Sequence, residues 1–166
     1  MVDYMAVFIK KSHAAQFGIH SITDLARQST VKYGVLADGA TQDFFRSSRS
    51  TFHSMMWSTM SWDGNASFVQ TIAEGIERVL SSTDEHPWAF LSESASLKYV
   101  TARRCDVEVL VDEMFPRYLA LAVPLGSSYL TRLTVSLLTM LEGGLMHMLQ
   151  RKWWNPVVHC EQSPHE

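Results

Sequence analysis

Two apolar runs of strand length, "VKYGVLA" (31–37) and "PWAFLSE" (87–93), each lead straight into a helical pattern. The first is stopped by Asp38-Gly39 before "ATQDFFRSS", and the second runs into "SASLKYVTAR". Strands that alternate with helices predict an α/β fold with a mostly parallel sheet flanked by helices. In such sheets ligands lie beyond the carboxyl ends of the strands, against helix starts. "DGAT" (38–41) and Glu93 both fall at that position, so both are expected to face one cleft.

A helix start leaves backbone N–H groups unpaired, and its dipole favours negative charge there. The start at Ala40 and Thr41 therefore has two readings: a cap supplied by Asp38, or a site for an anion. The position after a strand, on the same edge as Glu93, favours the second.

The remaining elements follow from pattern. Ser21 with Asp24 and Thr71 with Glu74 are capping boxes opening helices at "SITDLARQ" and "TIAEGIERVLSS". In the latter, Ile72, Ile76, Val79 and Leu80 share one face. "TFHSMMWSTM" (51–60) continues the helical stretch with Phe52, Met55, Met56 and Met60 at helical spacing. "CDVEVLVDE" alternates Val107, Val109 and Val111, and "YLALAVP" (118–124) reads as a buried strand stopped by Pro124. A helix from Tyr129 carries Leu130, Leu133, Leu137, Leu138 and Leu141 on one stripe and ends at Gly143-Gly144. "LMHMLQRKWW" is a last amphipathic helix, with Trp153-Trp154 as a packing anchor.

With 166 residues, 46% hydrophobic and 19% charged, the chain can bury a core as one domain or two small lobes. A net charge of −3 excludes a nucleic-acid binder that works through a basic surface. No apolar stretch spans a bilayer, because "LTVSLLTMLEGGLMHML" is broken by Glu142, Gly143 and Gly144. "MVDYMAVFIKKSH" is not a signal peptide: Asp3 precedes its apolar core and no small-residue cleavage site follows. Seven scattered histidines make no metal-ligand spacing, and no nucleotide-binding loop or nucleophile elbow is present. Neither an enzyme, a metal nor a cofactor is expected. Cys105 and Cys160 are two independent thiols or one long-range disulfide, and Asn65 opens an N-x-S sequon.

In order, "YGVLADGATQDFFRSS", "MMWSTM", "EGIERVL", "WAFLSES", "VTARRCDVEVL", "VPLGSSY" and "RKWW" resemble the ionotropic glutamate receptors, closest to the kainate-type and invertebrate non-NMDA branches. The resemblance covers roughly residues 21 to 160 and falls on the second segment of the bilobed extracellular ligand-binding domain. It implies a periplasmic-binding-protein-like lobe over 21–117 and a segment over 118–160 whose helices complete the first lobe. Residues 161–166 form a tail. "YMAVFI", within 1–20, resembles the end of the third membrane segment and its linker.

By the same resemblance, the Ala40 and Thr41 backbone N–H groups and the Thr41 hydroxyl hold the distal carboxylate of L-glutamate or a related amino acid. Glu93 pairs with its ammonium. Cys105 and Cys160 form a disulfide tying the end of the domain to its second lobe. The parent is implied to be a glutamate-gated cation channel, a tetramer with other subunits, facing the extracellular side of a postsynaptic plasma membrane. The first-lobe Arg for the α-carboxylate and the pore segments have no counterpart here, so the chain resembles a fragment. Two positions depart from the pattern: Ile72 replaces a polar residue near the lobe contact, and "VDEMFPRYLALAVP" lacks the usual glycines. A soluble periplasmic-type amino-acid-binding protein is the alternative with the same architecture.

Overall fold

The computed structural model describes residues 2–155. In chain order the elements are β1 (Val2–Lys10), α1 (Lys11–Phe17), α2 (Ile22–Arg27), β2 (Lys32–Leu36), α3 (Ala40–Ser47) and α4 (Thr51–Asp63). A short 3-10 turn (Gly64–Ala66) follows, then β3 (Phe68–Val69), α5 (Ile72–Ser81), β4 (Trp88–Glu93), α6 (Ser94–Thr101), β5 (Val107–Tyr118), α7 (Tyr129–Glu142) and α8 (Leu145–Trp154). Five strands form one sheet in the order β3-β2-β4-β1-β5.

The α/β reading is borne out, but the sheet is mixed rather than mostly parallel. β2 runs parallel to β3 and β4, whereas β1 runs antiparallel to both β4 and β5. The difference comes from Val2–Lys10, the segment expected as a membrane-segment remnant. It inserts between β4 and β5, and Met5 through Ile9 are at most 2% exposed. An apolar run too short to span a bilayer can bury all its backbone hydrogen bonds inside a sheet.

Each face of the sheet carries its own core. Met5, Val7, Ile9, Tyr33, Val35, Ala89 and Leu91 meet Ala14, Ile22, Leu25, Phe45, Met56 and Met60 from α1 to α4. On the other face Ala6, Phe8, Trp88 and Phe90 meet Val79 and Leu97 from α5 and α6. A strand covered on both faces reads as a continuous apolar run, which is why "WAFL" shows no alternation.

The capping boxes fold as expected. The Ser21 hydroxyl accepts from the Asp24 N–H at 3.1 Å, and Asp24 accepts in return from the His20 N–H at 3.1 Å. The Thr71 hydroxyl accepts from the Glu74 N–H at 3.1 Å, and the Glu74 carboxylate accepts from the Gln70 N–H at 2.7 Å. On α5 the inner face is Gly75 and Val79, with Ile76 and Leu80 half-buried and Ile72 exposed at the rim. On α4, Met56 and Met60 are buried whereas Met55 faces outward.

The expected strand at 118–124 does not form. β5 ends at Tyr118, and the residues that follow run irregularly with Leu119 and Leu121 exposed. An apolar run becomes a strand only where a neighbouring edge can pair with it. Neither α7 nor α8 contains a buried residue, and Leu130, Leu138, Leu141 and Trp153 are all about half exposed. The hairpin they form is held through α8. The Trp154 Nε1 donates to the Ala95 carbonyl at 2.7 Å, and Arg103 donates to the Trp153 carbonyl at 3.0 Å.

Gly34 marks the tightest approach in the sheet. A Cβ there would lie 2.2 Å from the Ser67 carbonyl oxygen and 2.8 Å from the Trp88 ring. The Ser67 backbone cannot move away, because its carbonyl accepts from the Val35 N–H at 2.9 Å. Gly34→Ala is expected to destabilise the chain by about 3 kcal/mol, the upper range for overpacking. Denaturant unfolding followed by circular dichroism checks this, and a midpoint equal to wild type would contradict it.

Candidate functional site

The first half of the site is the junction of β2 and α3. Asp38 adopts a left-handed backbone with φ 53, a conformation Asp tolerates better than most residues. Its N–H donates to the Gln42 side chain. That twist puts Gly39, not Asp38, at the N-cap position, and no side chain caps α3. The capping reading is therefore not realised. Asp43, the acid in the first turn, is engaged with Arg46 at 2.6 Å instead. Ala40 is exposed and Thr41 is 6% exposed. An uncapped start with its dipole pointing outward is suited to a carboxylate.

The second half is Glu93, the last residue of β4 and the N-cap position of α6. It is half-buried, with extended backbone (φ −72, ψ 133) and no side-chain cap on its own helix. β2 and β4 are adjacent and parallel, with Val35 opposite Leu91. Their carboxyl ends therefore lie side by side, and the α3 start and Glu93 share one edge of the sheet.

Buried beside this edge is Asp3, whose role the sequence did not reveal. Its Oδ1 accepts from the Ser94 hydroxyl at 2.5 Å, the Tyr4 N–H at 2.8 Å and the Ala95 N–H at 2.9 Å. Asp3 is 2% exposed, and its Oδ2 has no hydrogen-bond partner among the described residues. The only signal was an acid inside the apolar run "VDYMAVFI".

A cavity of about 550 Å³ opens at the opposite edge, where Lys32 and Trp88 begin their strands. Three of its charged side chains already have partners: Lys32 pairs with Asp63 at 3.0 Å, and Arg78 stacks 4.5 Å from the centre of the Trp88 ring. Among the described residues no cluster of His, Cys, Asp and Glu could hold a metal ion.

The other predicted positions are separate from this edge. Asn65 is exposed in the 3-10 turn, and its sequon partner Ser67 is buried. Cys105 lies between α6 and β5, whereas Cys160 is outside the described residues. No described helix is long and apolar enough to cross a membrane.

The comparisons with known proteins fit this geometry. No family model matches the chain. Rat "Glutamate receptor ionotropic, kainate 1" is 37% identical over 136 residues, which cover 82% of this chain and 14% of that protein. The human and Macaca fascicularis proteins of the same name match with the same shares. The chain belongs to the ionotropic glutamate receptor family. Among solved structures, Drosophila muscle GluRIIB in complex with glutamate superposes with a TM-score of 0.82 at 28% identity, over 93% of this chain and 59% of that one. The chain thus spans about one-seventh of the length of the curated receptors it matches.

One titrating group sits far from this edge. His13, on α1, is 1% exposed and its Nε2 lies 3.2 Å from the Asp84 carboxylate. Burial holds its pKa below the ordinary value, helped by the nearby Lys10 charge, while Asp84 opposes the shift. The folded chain therefore binds this proton less readily than the unfolded chain, whose His titrates near 6.5. The corresponding stability is fully present above about pH 6.5 and is lost as the pH falls below that value and through the lower folded pKa. The thermal midpoint is expected to drop between about pH 7.5 and 5.5, and to drop less in His13→Gln. Equal drops in both proteins would contradict this.

Proposed function

We propose that this chain supplies the second-lobe half of an amino-acid-binding cleft in a glutamate-gated cation channel subunit. The observation that carries the reading is the uncapped α3 start beside Glu93 on one sheet edge, in a chain of this family. In this reading the distal carboxylate of L-glutamate accepts from the Ala40 and Thr41 N–H groups and the Thr41 hydroxyl. The Glu93 carboxylate receives the ammonium. Both contacts are charge-assisted and gain strength as closure excludes water. Because these groups sit on one lobe, ligand contacts across the cleft favour the closed state, and closure is what the pore would sense.

Residues 118–160 then return to a first lobe, which accounts for the exposed apolar side chains of α7 and α8. Cys105 pairs with Cys160, a closure worth about 4 kcal/mol in the entropic model. In support, no described cysteine is a free thiol. Asn65 carries a glycan on the exposed turn, facing the extracellular side of a postsynaptic membrane. The subunit assembles with others into a tetramer, anchored by membrane segments outside this sequence. Nothing observed favours the soluble binding-protein alternative.

Half a cleft binds poorly. Calorimetry of the chain alone with L-glutamate is expected to show weak or undetectable binding, and micromolar affinity would overturn the reading. Fused to the matching first-lobe segment of a kainate relative, the chain should bind glutamate. There, Glu93→Gln and Thr41→Ala should each weaken binding about tenfold or more, the scale of one charge-assisted contact. Unchanged affinity in both variants would remove these residues from the site.

A further inference from the structure

Glu93 has a competing task. It occupies the N-cap position of α6, where backbone donors and the helix dipole attract a carboxylate. A Glu93 side chain folded back onto its own helix would not be available to an ammonium group. In the structure it makes no such cap, and another residue takes the Ala95 N–H.

That residue is Asp3. β1 pairs with β4 so that Met5 lies opposite Glu93, which puts Asp3 just beyond the end of β4, at the start of α6. Its Oδ1 accepts from the Ala95 N–H at 2.9 Å and from the Ser94 hydroxyl at 2.5 Å. The Tyr4 N–H, at 2.8 Å, holds the same oxygen in place. The shorter Asp side chain, buried and fixed on a neighbouring strand, is a better acceptor for a helix start than the longer Glu93. Two carboxylates thus stand at one helix terminus, and only one of them is used for capping.

We propose that Asp3 is a positioning residue: it caps α6 from the neighbouring strand and so leaves the Glu93 carboxylate free for the ligand ammonium. The inference rests on the reading of Glu93 given above. It assigns β1 a part in the site although β1 contributes no ligand contact.

The test uses the full chain with carboxyl-labelled glutamate residues, followed by NMR. Without ligand, Asp3→Ala should move the Glu93 carboxyl carbon signal as that side chain turns back to the Ala95 N–H. Asp3→Asn keeps an acceptor oxygen and should leave the signal in place. An unmoved Glu93 signal in Asp3→Ala would overturn the proposal. Should that variant not fold, Asp3→Asn decides alone, since its uncharged acceptor should speed exchange of the Ala95 N–H relative to the rest of α6. Unchanged exchange would overturn the proposal.

With ligand, shift titrations of the chain fused to the first-lobe segment of a kainate relative compare L-glutamate with glutarate, which lacks the ammonium. Asp3→Ala should weaken glutamate about fivefold or more, as expected when a charged contact must compete with an internal hydrogen bond, and leave glutarate within about twofold. Equal loss for both would indicate a general structural role and overturn the proposal. Glu93→Gln separately tests the underlying reading: it should abolish the preference for glutamate over glutarate. The ligand-free Glu93 signal judges Asp3, and the Glu93→Gln preference judges the reading on which it rests.

Discussion

The fold depends on β4 being covered on both faces. Trp88 to Ser92 are all buried, with Ala89 and Leu91 toward α1–α4 and Trp88 and Phe90 toward α5–α6. Burying a large apolar side chain is worth about 1.5–3 kcal/mol, so this strand draws helices to both sides of the sheet. Its register then fixes the site. Parallel pairing with β2 aligns the start of α3 with Glu93, and antiparallel pairing with β1 carries Asp3 to the start of α6. A one-residue slip would exchange the two cores and separate these groups.

From α2 to α6 every element but the two-residue β3 was legible, because each has a local signal: a capping box, helical spacing, an apolar run or a turn pair; α1 and β3 carry none of these. The shared edge of the α3 start and Glu93 was legible for the same reason, since a strand followed by a helix start is a local pattern. What could not be read was pairing. "YMAVFI", within Val2–Lys10, resembles the end of a membrane segment, and a resemblance in sequence does not say which strands pair with it. "YLALAVP" failed as a strand for the converse reason: it is apolar but leaves the sheet after Tyr118. The function of Asp3 depends on a contact 91 residues away in sequence, which no local rule detects.

The two ends of the chain differ in how much they bury. Residues through β5 build the sheet and both cores, whereas α7 and α8 bury none of their residues. Leucine stripes at helical spacing normally mark a face that packs. An amphipathic hairpin tethered through Trp154 and Arg103, with its apolar stripe outward, is suited to a further body.

The central claim is that the α3 start and Glu93 grip opposite ends of one amino acid. A crystal structure of the chain joined to a first-lobe segment and grown with L-glutamate tests it most directly. The account predicts the side-chain carboxylate within hydrogen-bond distance of the Ala40 and Thr41 N–H groups, and the ammonium against Glu93. Glutamate bound with its carboxylate away from α3, or with its ammonium held by other groups while Glu93 points elsewhere, would contradict it.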